Sequence, residues 1–185
     1  MKEKAEVVVV GGGVVGCSVL YHLTKAGCTD VVLLERKELT AGSTWHAAGG
    51  MHTLNGDPNV AALQRYTIKL YEELEELTGV DCGIHLTGEL MLADNEDRLD
   101  WLKMAHARGR YLGMETEIIS TSEAKNLVPF LEEKYFVGAL WDPVGGHVDP
   151  SGVTNAYASA ARSLGAEIER NTWVKEISQQ PDGTW

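Results

Sequence analysis

The strongest constraint on this chain lies near its amino terminus. A run of four valines, Val7–Val10, ends at Gly11-Gly12-Gly13, and an apolar stretch begins at once after it. A β-branched run stopped by glycine reads as a buried parallel strand. Val14 to Ala26 reads as a helix, with Gly27 as its C-terminal cap. Val31–Leu34 is a second apolar run, so the segment as a whole reads as a βαβ unit. Gly11, Gly13 and Gly16 fall in the pattern G-x-G-x-x-G between strand and helix, with Gly12 as an extra glycine. Each glycine has a physical reason. One makes the tight turn, the second lets backbone approach a pyrophosphate, and the third lets the helix pack on the strand. The helix amino end then faces the phosphates with N–H donors and a partial positive charge.

Glu35 lies at the end of the second strand, about 20 residues beyond the last glycine, where a carboxylate accepts from ribose hydroxyls. An acid there suits FAD or NAD and argues against a 2′-phosphate. The motif alone leaves both dinucleotides open.

The remaining chain alternates helices and short strands. Arg36 to Asn55 is rich in Gly, Ser, Thr and Ala and reads as a long loop, a feature that in compact domains is usually functional. Asp57-Pro58 opens a helix, with Asp as N-cap and Pro at the first helical position. Its apolar residues recur at helical spacing until Gly79. Ile84 to Ala93 reads as one or two strands, Asn95 to Leu112 as a helix, and Glu117 to Ile119 as a strand. Ser120 and Glu123 fit a capping box for a brief helix ending before Pro129. Phe136 to Trp141 reads as a strand, and Asp149-Pro150 starts another helix that runs to Gly165. Glu167–Arg170 and Trp173–Ile177 read as two further strands. Pro181-Asp182-Gly183 is a turn signal with almost no partner strand after it, so the chain is expected to be a fragment cut just past that turn.

Composition limits the partners. Asp plus Glu number 27 against 16 Lys plus Arg, a net charge of −11. That charge disfavours nucleic acid and anionic membrane surfaces. No stretch approaches the roughly 18 apolar residues of a membrane span, and no signal or transit segment is recognisable. A cytoplasmic location is expected, or the mitochondrial matrix for a processed eukaryotic protein. Cys17, Cys28 and Cys82 are too few and scattered for a disulfide framework and read as small buried apolar residues.

The segment Leu39-Thr40-Ala41-Gly42-Ser43-Thr44-Trp45-His46-Ala47-Ala48-Gly49-Gly50 decides between the dinucleotides. It resembles the dimethylglycine and sarcosine dehydrogenases, within the larger D-amino-acid-oxidase-like flavoprotein family. Trp-His-Ala-Ala-Gly is the specific part. Lys69-Leu70-Tyr71-Glu72-Glu73-Leu74, Thr87-Gly88-Glu89-Leu90 and Gly146-His147-Val148-Asp149-Pro150 extend the resemblance along the whole chain.

The resemblance implies an α/β fold: a Rossmann-like FAD-binding domain from residues 1–56 and 145–185, with an inserted α+β substrate-side domain at 57–144, incomplete at the C-terminus. It implies FAD joined covalently to His46 through the flavin 8α-methyl carbon. That bond is chemically reasonable, because an imidazole is largely neutral near pH 7 and can attack an electron-poor carbon. The matching cofactor contacts are Gly11, Gly13, Val14, Val15 and Gly16 at the phosphates and Glu35 and Arg36 at the ribose. Gly42, Ser43, Thr44, Trp45, His46, Ala47, Ala48, Gly49 and Gly50 run beside the pyrophosphate and ring, and Val174 meets the adenine.

The implied reaction is oxidative N-demethylation of a small methylated amino acid, with hydride leaving the N-methyl carbon. An electron-transfer flavoprotein or oxygen would reoxidise the cofactor. Tetrahydrofolate would belong only to a further C-terminal domain. Catalytic acid–base residues are expected beyond residue 185, and the segment alone is expected to lack turnover. Two rivals share parts of the pattern. A regulatory subunit of pyruvate dehydrogenase phosphatase has the same fold, but its branch departs from Trp-His-Ala-Ala-Gly. A nicotinamide-dependent dehydrogenase would leave the loop from Ser43 to Gly50 unexplained.

Other residues read more plainly. His22 sits mid-helix and reads as packing. His52, His85 and His106 lack ligand spacing, so no metal site is expected. His147 neighbours Asp149, which the helix start already uses. Tyr66, Tyr71 and Trp101 read as core or interface residues.

Overall fold

Val7–Val10 forms β1, Val14–Lys25 forms α1 and Val31–Leu34 forms β2, in a computed structural model that describes residues 3–185. β1 and β2 pair in parallel from Val7 opposite Val31 to Val10 opposite Leu34. The elements that follow are β3 (Gly50–Met51), α2 (Pro58–Thr78), β4 (Glu89–Ala93) and α3 (Glu96–Tyr111). After them come β5 (Glu117–Ile119), α4 (Thr121–Leu127), β6 (Gly138–Asp142), β7 (Gly146–His147), α5 (Pro150–Ser163) and β8 (Glu167–Glu169). The chain divides into two compact units. Among the described residues the first holds 3–48, 71–83 and 149–185, and the second holds 49–70 and 84–148.

The first unit is built on the parallel sheet β1-β2-β8. β2 is its central strand, and Val31 and Leu33 are fully buried. α1 buries Cys17, Leu20, Tyr21 and Thr24 and packs on α5, whose buried residues include Gly152 and four alanines that admit close approach. The Tyr21 and Tyr157 rings meet with centroids 5.7 Å apart. His22 packs as expected, with its Nδ1 2.7 Å from the Ser18 carbonyl and its ring edge-on to Tyr21. Burial pushes the Cys17 thiol up to about 11, and burial together with nearby Glu75, Asp81 and Asp149 does the same to Cys82. These two are inert packing residues, whereas Cys28 is only half-buried. None of the three is in a disulfide.

The second unit is built on the antiparallel sheet β4-β6-β5. Period-two alternation divides its side chains between two helices. Met91, Ala93, Leu140 and Ile118 pack with Leu102 and Leu99 of α3. Leu90, Leu92, Ala139 and Ile119 pack with Ala124 of α4. Asn95 caps α3 by accepting from Arg98 N, and Ser120 and Glu123 form the expected reciprocal capping box of α4.

Two expectations need correction and one is narrowed. Trp173–Ile177 is not a strand. Asn171 N and Thr172 N, just before it, donate to Lys37 O and Glu35 O, but a strand needs a partner along its length. The stretch from Ile84 gives one strand only from Glu89, with His85 forming an isolated bridge to His147. Tyr66 and Trp101 are exposed on their helices, so of the core and interface readings the core one does not hold for them.

Candidate functional site

The glycine cluster shapes a cleft of about 740 Å³ within the first unit. Gly11, at the end of β1, takes φ +106°, a conformation that a side chain disfavours. A methyl group on Gly16 would overlap the Gly11 carbonyl oxygen, so the third glycine lets the helix start against the turn. Gly12 is also crowded, by side chains rather than backbone. A Cβ there would lie 2.6 Å from Leu39 Cδ2 and 3.0 Å from the Glu35 side chain. The motif spacing marks Gly12 only as an extra glycine; the crowding arises because the loop at 35–39 folds back over it.

α1 begins at Gly13, which offers no side-chain cap, and its first turn carries no acidic residue. Its first amide, Val14 N, donates to Thr44 Oγ1 at 2.9 Å. That bond fixes the turn of 3-10 helix at Thr44–His46 beside the helix amino end. Thr44 is buried, whereas Trp45 and His46 are exposed, with ring centroids 4.8 Å apart. Glu35 Oε2 accepts from Gly12 N at 2.7 Å and Oε1 from Lys37 N at 2.8 Å. Its carboxylate therefore fastens the glycine turn to the end of β2 while staying at the cleft wall.

Of the residues expected at a dinucleotide, Gly11, Gly13, Val14, Val15, Gly16, Glu35, Arg36, Gly42, Ser43, Thr44 and Ala47 line this one cleft. Val174 lines a smaller hollow of about 240 Å³ that shares Val10, Gly11, Glu35 and Arg36 with it. Trp45, His46 and Ala48 follow in the same loop without lining the cleft, and Gly49 and Gly50 cluster with the second unit. Val9, Val10, Val19, Lys37 and Ala41 also line the cleft and were not anticipated.

These features fit an adenine dinucleotide. A helix amino end without an acidic cap favours a diphosphate. The crowded glycines bring backbone close, and Glu35 stands at the strand end. Gly11, Gly13 and the first turn of α1 would hold the diphosphate, and Glu35 and Arg36 the ribose.

Comparison with known proteins bears on which dinucleotide it is. Residues 6–185 match the family described as FAD dependent oxidoreductase. The chain is 42% identical over 184 residues to dimethylglycine dehydrogenase, mitochondrial, of Rattus norvegicus, covering all of this chain and 22% of the relative. It is 40% identical over 178 residues to human sarcosine dehydrogenase, mitochondrial, covering 96% of this chain and 19% of the relative. It is also 40% identical over 177 residues to the mouse pyruvate dehydrogenase phosphatase regulatory subunit, mitochondrial, covering 96% and 20%. Among solved structures, L-proline dehydrogenase from P. horikoshii superposes with a TM-score of 0.91 at 28% identity, covering 98% of this chain and 48% of that one. The chain thus spans about a fifth of the length of these sequence relatives. Its glycine cleft, its α/β architecture and its match over nearly all residues lead to one conclusion: the chain belongs to the FAD-dependent oxidoreductase family.

Proposed function

We propose that this chain is the FAD-binding front of an oxidoreductase that oxidises the carbon–nitrogen bond of a small N-methylated amino acid of the dimethylglycine or sarcosine kind. The observation that carries the reading is the junction of cleft and loop. The amino end of α1, which has no cap of its own at Gly13, is tied through Thr44 to the short turn that presents His46. The identity with dimethylglycine and sarcosine dehydrogenases supports the substrate class. Bound FAD supplies the acceptor for the electron pair released by the substrate. The chain's own residues bind and position. The α1 amino end holds the diphosphate, Glu35 and Arg36 the ribose, Val174 the adenine side, and His46 is the covalent anchor. Trp45, Ala47, Ala48, Gly49 and Gly50 give the anchor its setting.

The FAD-binding role falls to about residues 1–56 and 145–185, and the substrate side to 57–144. The compact units draw the border at 48/49 and 148/149 and add 71–83 to the first. Acid–base chemistry, an electron-transfer flavoprotein as acceptor and any folate chemistry belong to the whole protein.

The relationship to the phosphatase regulatory subunit favours a second reading, a non-catalytic protein of the same fold. His46 within Trp-His-Ala-Ala-Gly speaks for the first. Acid precipitation of the full-length protein tests the anchor. The pellet should stay yellow, and a His46→Ala variant should release all of its flavin to the supernatant. A colourless wild-type pellet would remove the covalent assignment. Failure of the whole protein to reduce a dye with dimethylglycine or sarcosine would favour the regulatory reading.

A further inference from the structure

We infer that His85 and His147 form a two-imidazole site for a divalent transition-metal ion of the zinc, nickel or copper class. Linear spacing gives no sign of it, because the two residues meet only through strand register. His85 N donates to His147 O at 2.9 Å, and His147 N donates to His85 O at 3.0 Å. Residues that exchange both bonds are directly opposed in an antiparallel ladder, so their side chains share one face. Both residues are exposed, and the ring centroids lie 4.9 Å apart with an interplanar angle of 34°.

That separation falls within the range that two rings on a shared ion adopt. With a metal–nitrogen distance of about 2.0–2.1 Å and ligand angles between about 90° and 110°, two imidazoles on one ion place their centroids about 4.5–5.2 Å apart. The terminal torsion of histidine is broad, so exposed rings can turn a nitrogen toward a common point. Their backbone is already fixed. Gly88 N donates to Gly145 O at 2.8 Å. A Cβ on Gly146 would overlap the His85 carbonyl, so the absent side chain lets the two segments close. On the other edge Gly50 pairs with His147 and Met51 with Gly146. An ion that binds one ring therefore meets the second at high effective concentration.

The donor set also defines the kind of site. Imidazole prefers zinc, copper and nickel, while magnesium and calcium prefer oxygen. Among the described residues no group of three metal-ligating side chains exists. Two protein ligands leave the remaining coordination positions to water, so the ion would be exchangeable. It would bridge the middle strand and one edge of a small ribbon whose opposite edge starts at Gly50, the last residue of the candidate flavin loop.

The test uses untagged, chelator-treated full chain and titrates Ni²⁺ by calorimetry. Saturation at one ion per chain is expected. His85→Ala and His147→Ala should each weaken binding at least tenfold, the double variant should lose nothing more, and His52→Ala should change nothing. On the wild-type protein, Zn²⁺ should protect both histidines together from diethyl pyrocarbonate and raise the melting temperature. Equal affinity in wild type and the two single variants, or independent labelling of the two rings in the presence of Zn²⁺, would overturn the site.

Discussion

The first helix of the glycine-cleft unit begins in the opposite way from the helices of the inserted unit. In the inserted unit, α3 and α4 satisfy their own first turns. Asn95 and Ser120 accept from helix amides, and Glu96, Asp97 and Glu123 add negative charge where the helix dipole welcomes it. At the glycine cleft, α1 begins with a residue that has no side chain and with no acid in its first turn. The amides of Val15 and Gly16 belong to the group that a helix leaves without internal partners. A helix that supplies its own caps has a purely structural amino end. One that withholds them keeps donors and positive potential for an anion that the chain does not encode.

Substitutions that exchange the two kinds of helix start are the sharpest probe of this contrast. Gly13→Asp gives α1 the carboxylate that the other helices carry, and it sets that charge where the diphosphate would lie. Two unit charges about 4 Å apart at an effective dielectric of about 20 repel by roughly 4 kcal/mol. FAD affinity of the full-length protein, measured by fluorescence titration before covalent attachment, should fall about a thousandfold. Unchanged affinity would mean that the diphosphate is not bound there. Gly16→Ala comes next. Its methyl meets backbone rather than a movable side chain, so a loss of about 3 kcal/mol in urea unfolding is expected. Ser120→Ala removes only a structural cap. It should cost about 1 kcal/mol and leave flavin content unchanged.

The smallest expected effect is a pH dependence at Glu89. Its Oε2 is buried and has no hydrogen-bond partner. Burial raises its pKa, His52 partly opposes that, and the Asp142 carboxylate adds to it. The folded value therefore lies above the unfolded one of about 4.3. The stability linked to the protonated form is complete below that unfolded value and is lost as pH rises through the folded value. Glu89→Gln should thus be more stable than wild type near neutrality, with the advantage vanishing in acid. Urea midpoints at acid and neutral pH measure it, and an advantage that is constant with pH would dismiss the explanation.

Much of the fold was legible because local chemistry and tertiary structure agree. Val7–Val10 and Val31–Leu34 have one plausible home in a parallel sheet, and Asp57-Pro58, Ser120 with Glu123, and Asp149-Pro150 all start helices as read. What was missed depends on distant partners. β7 is only two residues long, too short for any periodicity, and exists because Gly50–Met51 and His85 lie on either side of it. Trp173–Ile177 has the composition of a strand but no neighbour along its length to pair with. At the cleft, Gly11, Gly13, Gly16 and Glu35 could be named from spacing. The Glu35 bond to Gly12 N could not, since it depends on how the end of β2 meets the turn.

The bond between Thr44 Oγ1 and Val14 N joins the loop that carries His46 to the start of the first helix as one cooperative object. Opening of that loop exposes the Val14 amide to solvent, and tightening of the loop protects it. Hydrogen–deuterium exchange at this single backbone position would therefore track how ordered the histidine-bearing turn is before flavin attachment and after it, with no probe placed on the histidine itself.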